Sequence, residues 1–161
     1  MDNLLNLLSE NARLTTAQLA VMLNKTEQEV AKEIAEYEKA GIVKGYKALI
    51  NWEKVDENKA SALIELRVMP KRDSGFDAIA NRIMQFDEVE NVYLMSGGFD
   101  LAVMVHGKSM QEIAMFVARR LSPLDSVLST ATHFVLTRYK EGGVILNSEG
   151  ENDERRNLLS D

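Results

Sequence analysis

The spacing of the apolar residues changes near residue 60, and this change constrains the fold more than any other feature of the sequence. Before it, apolar residues recur at intervals of three and four, the period of an amphipathic helix. After it, stretches of helical spacing separate stretches of strict alternation, the first of which runs through Ala62, Ile64, Leu66 and Val68. The pattern predicts two units of different structural class in one α+β chain.

Two capping boxes mark helices in the first unit. Thr15 is followed three residues later by Gln18, and Thr26 by Glu29. At this spacing the two side chains satisfy each other's exposed backbone N–H groups at a helix start. A first helix precedes them, with an apolar face made of Leu4, Leu5, Leu7 and Leu8.

The third helix precedes a segment that predicts a wing. The inner face of this helix consists of residues spaced four and three apart, namely Val30, Ile34 and Tyr37. Gly41 suits the left-handed position after the end of the helix. Residues 42–50 are typical of two short strands about Gly45, and the polar residues 52–60 of a linker. We therefore predict a winged helix-turn-helix domain over residues 1–51.

Residues 61–140 follow the order βαββαβ of a ferredoxin-like domain. The predicted elements are a strand over 62–68, a helix over 76–86, strands over 89–95 and 101–105, a helix opened by Ser109 with Glu112, and a last strand over 127–139. Residues 141–161 are polar, charged and glycine-containing, so we expect a polar C-terminal tail.

Apolar side chains on both faces of the predicted strands indicate self-association. Leu63 faces away from Ala62, and in the last strand Leu128, Phe134 and Leu136 oppose Val127, Ala131 and Val135. Two helices can cover only one face of a four-stranded sheet. The other face needs a partner, and a second copy of the chain is the simplest one, so we expect a homodimer.

The amino-acid composition indicates the cellular compartment and limits how the chain could bind nucleic acid. The chain has no cysteine, which excludes disulfides and thiolate metal sites and suits a reducing compartment. Its start lacks a basic leader pattern, and no apolar run reaches the roughly 18 residues of a membrane span. We expect a cytoplasmic protein without membrane contact. With a net charge of −6, any nucleic-acid binding must depend on a local patch.

Three stretches, in this order, resemble the Lrp/AsnC or feast/famine family of prokaryotic transcription regulators. They are the two capped helices with the following AGIVKGY, the glycine turn SGGFDL at residues 96–101, and the terminal strand STATHFVLTRYK. The resemblance covers residues 1–140. It implies a RAM-type C-terminal domain, dimers formed through the C-terminal sheets, octamers of four dimers, and regulation by an amino acid or similar metabolite bound between dimers.

The candidate DNA-binding residues lie before the second helix, at the start and along the outer side of the third helix, and on the wing. A helix-turn-helix places its second helix in the major groove of double-stranded DNA, with basic groups on phosphates. The candidates are Arg13, Lys25, Thr26, Glu27, Gln28, Lys32, Lys44 and Lys47. Residues 25–40 hold three lysines and five glutamates, however. A solvated acidic helix that no longer contacts DNA is therefore the competing interpretation.

The candidate effector-binding residues are Ser96, Gly97, Gly98, Phe99 and Asp100, with Thr130 and Thr132. The resemblance implies that backbone amides of the glycine turn receive an α-carboxylate, that Asp100 faces an α-amino group, and that the two hydroxyls complete the pocket. The structural alternative is equally open: glycines permit a hairpin turn, Asp100 bonds turn amides, and threonines suit strands.

We predict no cofactor, no metal site and no enzymatic activity. His106 and His133 lie in different predicted strands, without a carboxylate at ligand spacing. The leading hypothesis is a metabolite-responsive DNA-binding regulator. One alternative is a ligand-binding module with weak or lost DNA binding that enters mixed oligomers with a more basic paralogue. The other is a tetrapyrrole decarboxylase on the same scaffold.

Overall fold

The computed structural model describes residues 3–56, 58–70 and 75–146. The chain divides into two compact units, Met1–Leu49 and Ile50–Asp161, and each has its own cluster of buried apolar side chains. Within the described ranges, no helix has the length and apolar character needed to cross a membrane.

The first unit consists of three helices: α1 (Asn3–Glu10), α2 (Thr16–Leu23) and α3 (Glu27–Lys39). Both predicted capping boxes are formed, with Thr15 and Thr26 as N-cap residues. Helix α3 ends where Gly41 adopts a φ of 69°, as predicted for a left-handed residue after the helix. The core that these helices enclose is small and consists of Leu4, Leu8, Leu19, Ala20 and Val30.

The predicted wing strands are absent from this part of the chain as the structure describes it. Ile42 and Val43 both donate their backbone N–H to Tyr37 O, and residues 44–51 then continue in irregular backbone without strand pairing. Two segments of about four residues bury too little to hold a hairpin by themselves. Ile42, Leu49 and Ile50 are accordingly exposed.

The second unit contains a four-stranded antiparallel sheet with two helices in the order βαββαβ, which confirms the predicted α+β class and ferredoxin-like topology. The strands are β1 (Ala60–Val68), β2 (Val89–Leu94), β3 (Leu101–Gly107) and β4 (Val127–Phe134), in the spatial order β2-β3-β1-β4. The helices are α4 (Asp77–Ile83) and α5 (Met110–Phe116), the latter extended by a π-helical turn over Val117–Leu121.

Both helices pack on the same face of the sheet. That face contributes Ile64 and Leu66 of β1 and Val103 of β3, and the helices contribute Ile83 and Ile113, all almost fully buried. Helix α5 begins as predicted, because the Ser109 hydroxyl accepts a hydrogen bond from the Glu112 N–H. This larger core makes apolar burial the main stabilising contribution in the second unit.

A bulge in β4 changes the predicted assignment of side chains to faces. Val68 pairs with Val127 but Arg67 pairs with Ser129, so Leu128 is an extra residue in the strand. Val127 and Phe134 therefore both pack against the core, although strict alternation predicted opposite faces. The inserted residue Leu128 is left exposed.

The second face of the sheet is mixed rather than uniformly apolar. Leu63 lies at its centre, beside Met104 on β3. His133 Nε2 lies 3.3 Å from Glu65 Oε1 on the same face, a carboxylate neighbour that the sequence did not reveal. The register places on this face Leu63, Glu65, Arg67, Ala102, Met104, His106, Ser129, Ala131, His133 and Tyr93.

The end of the last strand also differs from the prediction. The Val135 N–H donates to Ser61 O, and β4 ends close to the start of β1 at Ala60. Residues 140–145 instead form a hairpin of β5 (Lys140–Glu141) and β6 (Val144–Ile145). Gly142 and Gly143 both have positive φ, as a two-residue type I′ turn requires. Residues 147–161 of the predicted tail lie outside the described residues.

The segment predicted as a linker folds onto the second unit. Trp52–Lys54 form a 3₁₀ turn whose Glu53 carboxylate accepts from the Arg138 N–H at 3.1 Å. The Asn51 side-chain amide donates to Leu146 O, and the Lys59 ammonium lies 3.6 Å from the centre of the Trp52 ring. The polar composition of residues 52–60 predicted a linker, because the sequence alone does not show these contacts with residues far along the chain.

Candidate functional site

The outward face of α3 carries lysine and glutamine rather than glutamate. Successive residues of an α-helix lie about 100° apart around its axis, so the positions opposite the buried Val30 follow one another at intervals of four, three and four residues. They are Gln28, Lys32, Ala35 and Lys39, all exposed. The side chain of Lys32 is the most open of the ion-paired groups on this helix, at 79% exposure. Lys39 was missed in the sequence analysis, although its spacing from Gln28 and Lys32 could have revealed it.

The glutamates of α3 lie on the flanks of this face, and most are engaged within the unit. Glu29 accepts from the Thr26 N–H at 2.8 Å, and Glu33 lies 2.6 Å from Lys25 Nζ. Glu38 accepts from the Tyr46 hydroxyl at 3.0 Å. Glu36 is 3.9 Å from Lys32 and is the glutamate nearest the outward face. The net negative charge of α3 is therefore not spread evenly around it.

The capping contacts lower the pKa of the Glu29 carboxyl. Its ionised form accepts hydrogen bonds from the backbone N–H of Thr26 and then from the Thr26 hydroxyl, with a smaller contribution from the charge of Lys25. Both Lys25 and Thr26, which the sequence analysis proposed for DNA contact, thus already bind glutamates of α3.

The other candidate DNA-binding residues are exposed. Arg13 lies in the turn before α2, and Glu27 and Gln28 lie in the first turn of α3. Lys44 and Lys47 lie in the wing segment, which we define as residues 42–50. All of these positions belong to the first unit.

The wing segment is held to α3 at Tyr46. The Tyr46 hydroxyl donates to Glu38 Oε1 across eight residues of sequence. Desolvation is the main cause that raises the Tyr46 pKa, followed by the hydrogen bond to the Glu38 carboxylate and its charge. The phenol is therefore in its donating form at neutral pH, and neither this tyrosine nor its acceptor was identified from the sequence.

The glycine turn connects β2 and β3 at one end of the sheet. The Met95 N–H donates to Asp100 O at 2.8 Å and closes the turn, and Ser96, Gly97 and Gly98 are exposed. Gly98 has no positive φ, and a Cβ there would meet no heavy atom within 4 Å. Nothing in the described part of this single chain therefore requires glycine at position 98.

The side chain of Asp100 bonds the neighbouring strand rather than the turn. The backbone N–H of Asp100 donates to Leu66 O at 2.9 Å, and its Oδ2 accepts from the Val68 N–H at 2.8 Å. The carboxylate thus replaces the β3 backbone as the partner of β1 where the ladder ends. One of its two oxygens has this structural role.

Thr130 and Thr132 are separated from the glycine turn by one strand. They pair with Leu66 and Ile64, so they lie on the helix-covered side of β4, half-buried. The Thr130 hydroxyl is 3.4 Å from the Ser122 hydroxyl. Because β1 lies between β3 and β4, a single chain does not bring the threonines into contact with Asp100.

A cleft of about 210 Å³ lies elsewhere in the second unit, between α4 and the segment before β4. None of the predicted effector residues lines it. It is smaller than the roughly 300 Å³ at which pockets for small organic molecules begin. The lining residues are Gly75, Ala78, Ile79, Arg82, Leu124, Asp125 and Ser126. In the described ranges, no cluster of three or more histidine and carboxylate groups could hold a metal ion.

Both halves of the chain match known family models. Residues 3–44 match the winged helix-turn-helix DNA-binding model, and residues 61–145 match the Lrp/AsnC ligand binding domain. The chain belongs to the Lrp/AsnC family. It is a transcription regulator with a DNA-binding winged helix-turn-helix domain and a ligand-binding domain, which confirms the predicted family and fold.

Relatives within the Lrp/AsnC family align over nearly the whole chain. The HTH-type transcriptional regulator YugG of Bacillus subtilis is 44% identical over 153 residues, which is 94% of this chain and 92% of that protein. The HTH-type transcriptional regulator LrpA of Pyrococcus abyssi is 25% identical and covers 85% of this chain and 94% of its own.

Solved structures of the family share the fold. A transcriptional regulator of Neisseria meningitidis, in complex with L-Met, is 25% identical with a TM-score of 0.71, covering 88% of this chain and 93% of its own. Escherichia coli AsnC has a TM-score of 0.68 at 21% identity, covering 88% of this chain and 95% of its own. The second likeness concerns the fold alone.

Proposed function

We propose that the outward face of α3 and the wing segment bind double-stranded DNA. The observation that carries the proposal is the segregation of charge on α3: Gln28, Lys32 and Lys39 point outward, whereas Glu29, Glu33 and Glu38 are engaged within the unit. Arg13, Lys44 and Lys47 would add phosphate contacts. Lysine supplies such contacts as a point charge without selecting a base.

We further propose that the second unit binds an amino acid at the glycine turn. Ser96, Gly97 and Gly98 are exposed and would offer their backbone N–H groups to a carboxylate. Since a Cβ at Gly98 would meet no heavy atom within 4 Å, the turn has room for a ligand or for a second copy of the chain. Asp100 retains a second oxygen for an ammonium group, and Phe99 would line the pocket. Thr130 and Thr132 would come from another dimer, because β1 separates them from the turn within one chain.

The proposed assembly is a dimer through the second face of the sheet, with dimers associating further up to an octamer. Support comes from Leu63 and Met104 at the centre of that face, which two helices on the other side leave uncovered. An effector between dimers would change DNA binding only through its different affinity for two arrangements of dimers.

We propose no catalytic role. A tetrapyrrole decarboxylase would need several basic groups around one site, whereas His106 lies on β3 and His133 on β4 with β1 between them. We propose that the protein acts on chromosomal DNA in the cytoplasm.

Selection from sheared genomic DNA of the encoding organism tests the DNA proposal. At low salt, we expect the wild-type chain to enrich a small set of fragments and a Lys32→Ala/Lys39→Ala double variant to lose most of them. Lys108→Ala, in the second unit, is the control. If no fragment is enriched over a protein-free sample, the proposal is wrong.

Thermal shifts with each of the twenty amino acids test the effector proposal. Asp100→Asn keeps an acceptor for the Val68 N–H but removes the charge, so we expect a normal fold and a lost response to the active amino acid. Asp87→Asn is the charge-matched control. An unchanged response in Asp100→Asn would exclude the glycine turn as the ammonium site.

Light scattering after size-exclusion chromatography tests the assembly. We expect dimers or multiples of dimers at micromolar concentration, and dissociation in Leu63→Asp. A wild-type monomer would contradict the proposal. Amino-acid shifts with no bound DNA would instead favour a co-assembly module that joins a more basic paralogue, an alternative motivated by the excess of glutamates over lysines in α3.

A further inference from the structure

We infer that the hydrogen bond between Tyr46 and Glu38 is a tether that positions the lysines of the wing segment for DNA contact. The inference rests on the proposed DNA binding. It assigns positioning roles to two residues that would not themselves touch DNA.

The tether acts where regular backbone pairing has ended. The wing segment leaves α3 through two hydrogen bonds to Tyr37 O, from the N–H groups of Ile42 and Val43. From there to residue 50 it contains no strand. The Tyr46 hydroxyl then reaches back to Glu38 Oε1 at 3.0 Å, which fixes the middle of the segment against the last turn of α3.

This arrangement places basic residues together at the C-terminal end of α3. Lys39 is the last residue of the helix. Lys44 folds back over Gly41, just after the helix, with its Nζ only 2.7 Å from the position a Cβ on Gly41 would take. The negative end of the helix dipole favours a cation there. Lys47 directly follows Tyr46, so we expect the tether to hold the backbone at both wing lysines close to the end of α3.

Glu38 therefore has two opposite effects on DNA binding. Its negative charge repels phosphates, and its carboxylate oxygen holds Tyr46 and with it the wing segment. If repulsion dominates, every substitution of Glu38 that removes the charge strengthens binding. If the tether dominates, only a substitution that keeps an acceptor does so.

Two substitutions of Glu38 separate these effects. Glu38→Gln and Glu38→Ala remove the same charge, and both residues favour a helix. Only glutamine can still accept a hydrogen bond from Tyr46. We expect Glu38→Gln to bind DNA at least as tightly as the wild type, and Glu38→Ala to bind about three- to tenfold more weakly than Glu38→Gln, the range of one net hydrogen bond.

Tyr46→Phe tests the donor side of the same contact. It keeps the ring and removes the hydroxyl, so we expect a loss of DNA affinity of similar size. Tyr139→Phe, in the second unit and exposed, is the matched control and should bind as the wild type does. Equal affinities for Glu38→Ala and Glu38→Gln, or for Tyr46→Phe and the wild type, would overturn the inference.

Trypsin cleavage of the DNA-free full chain separates the tether from DNA binding itself. Glu38→Ala should be cut faster than Glu38→Gln after Lys44 and Lys47, although the residues around these two bonds are the same in both variants. Cleavage after Lys108 should be equally fast in both. If no DNA binds the wild type, the proposed function fails, and these rates still decide whether the tether exists. Equal rates after Lys44 and Lys47 would show that it does not.

Discussion

The two units of the chain differ in the size of their apolar cores. Among the described residues, the core cluster of the first unit contains five buried apolar side chains and that of the second contains fifteen. Both units also have polar contacts, which in the first unit are two complete capping boxes, the Lys25–Glu33 ion pair and the Tyr46–Glu38 hydrogen bond. Because the apolar core of the first unit is smaller, we expect single polar substitutions to matter more there than in the second unit.

The same difference separates the functions. A recognition helix must leave most of its surface free for DNA, so its orientation depends on residues at its ends and flanks. A ligand-binding sheet can have a large covered face and place its functional groups in turns at the strand ends. The contrast between the units can be tested by matched substitutions.

The largest effects are expected from equivalent core truncations. Leu19 in α2 and Leu66 in β1 are 1% and 0% exposed, respectively. Each change to alanine should cost about 2–5 kcal/mol. In the small core of the first unit this loss should abolish the helix-turn-helix fold, whereas the second unit should remain folded with a lower midpoint in urea.

Trp52 makes this prediction measurable. It is the one tryptophan of the sequence and lies in the second unit. In Leu19→Ala, helix content followed by circular dichroism should fall while the Trp52 fluorescence transition stays in place. A common shift of both signals would mean that the units unfold together and would contradict the comparison.

An intermediate effect is expected from the helix caps. Thr26→Ala removes the N-cap of α3, and Ser109→Ala removes that of α5. Each should cost about 1 kcal/mol. The loss should reduce DNA binding in Thr26→Ala and leave amino-acid binding nearly unchanged in Ser109→Ala. Equal losses of DNA binding in the two variants would argue against a special dependence of the first unit on its caps.

The smallest effect concerns pH. The Glu29 pKa is lowered in the folded unit, so its contribution to stability is present above the ordinary glutamate value and is lost as pH falls through the folded value. Glu29→Gln should keep the capping box of α3, because α2 already has a capping box between a threonine and a glutamine, Thr15 and Gln18. We expect little change at pH 7 and a shallower loss of helix content below about pH 4.3, the ordinary glutamate value. An unchanged acid profile would contradict this assignment.

Local signals in the sequence predicted most elements correctly. Capping boxes and apolar periods depend on residues three or four apart, so both boxes of the first unit and the βαββαβ order of the second were found. Apart from the absent wing strands and the overlooked turn at Gly142 and Gly143, the failures involve contacts between distant residues. The Leu128 bulge, the end of β4 at the start of β1 and the docking of Glu53 on Arg138 all depend on partners far along the chain.

The candidate sites show the same division. The sequence of α3 has more glutamates than lysines, and this net negative charge argued against contact with DNA. The structure shows which glutamates are already engaged, and this depends on Lys25, Thr26 and Tyr46 outside the helix interior. The pair of adjacent glycines before Val144 was a turn signal that the prediction of a polar tail overlooked.

The salt dependence of DNA affinity tests the central claim, that α3 presents its lysines outward while most of its glutamates are engaged at the flanks. We expect the slope of log K against log salt concentration to become shallower by about one for each of Lys32→Ala and Lys39→Ala, and to be unchanged in Lys108→Ala. DNA binding with wild-type slopes in both α3 variants would contradict the account, because the phosphates would then lie against another surface.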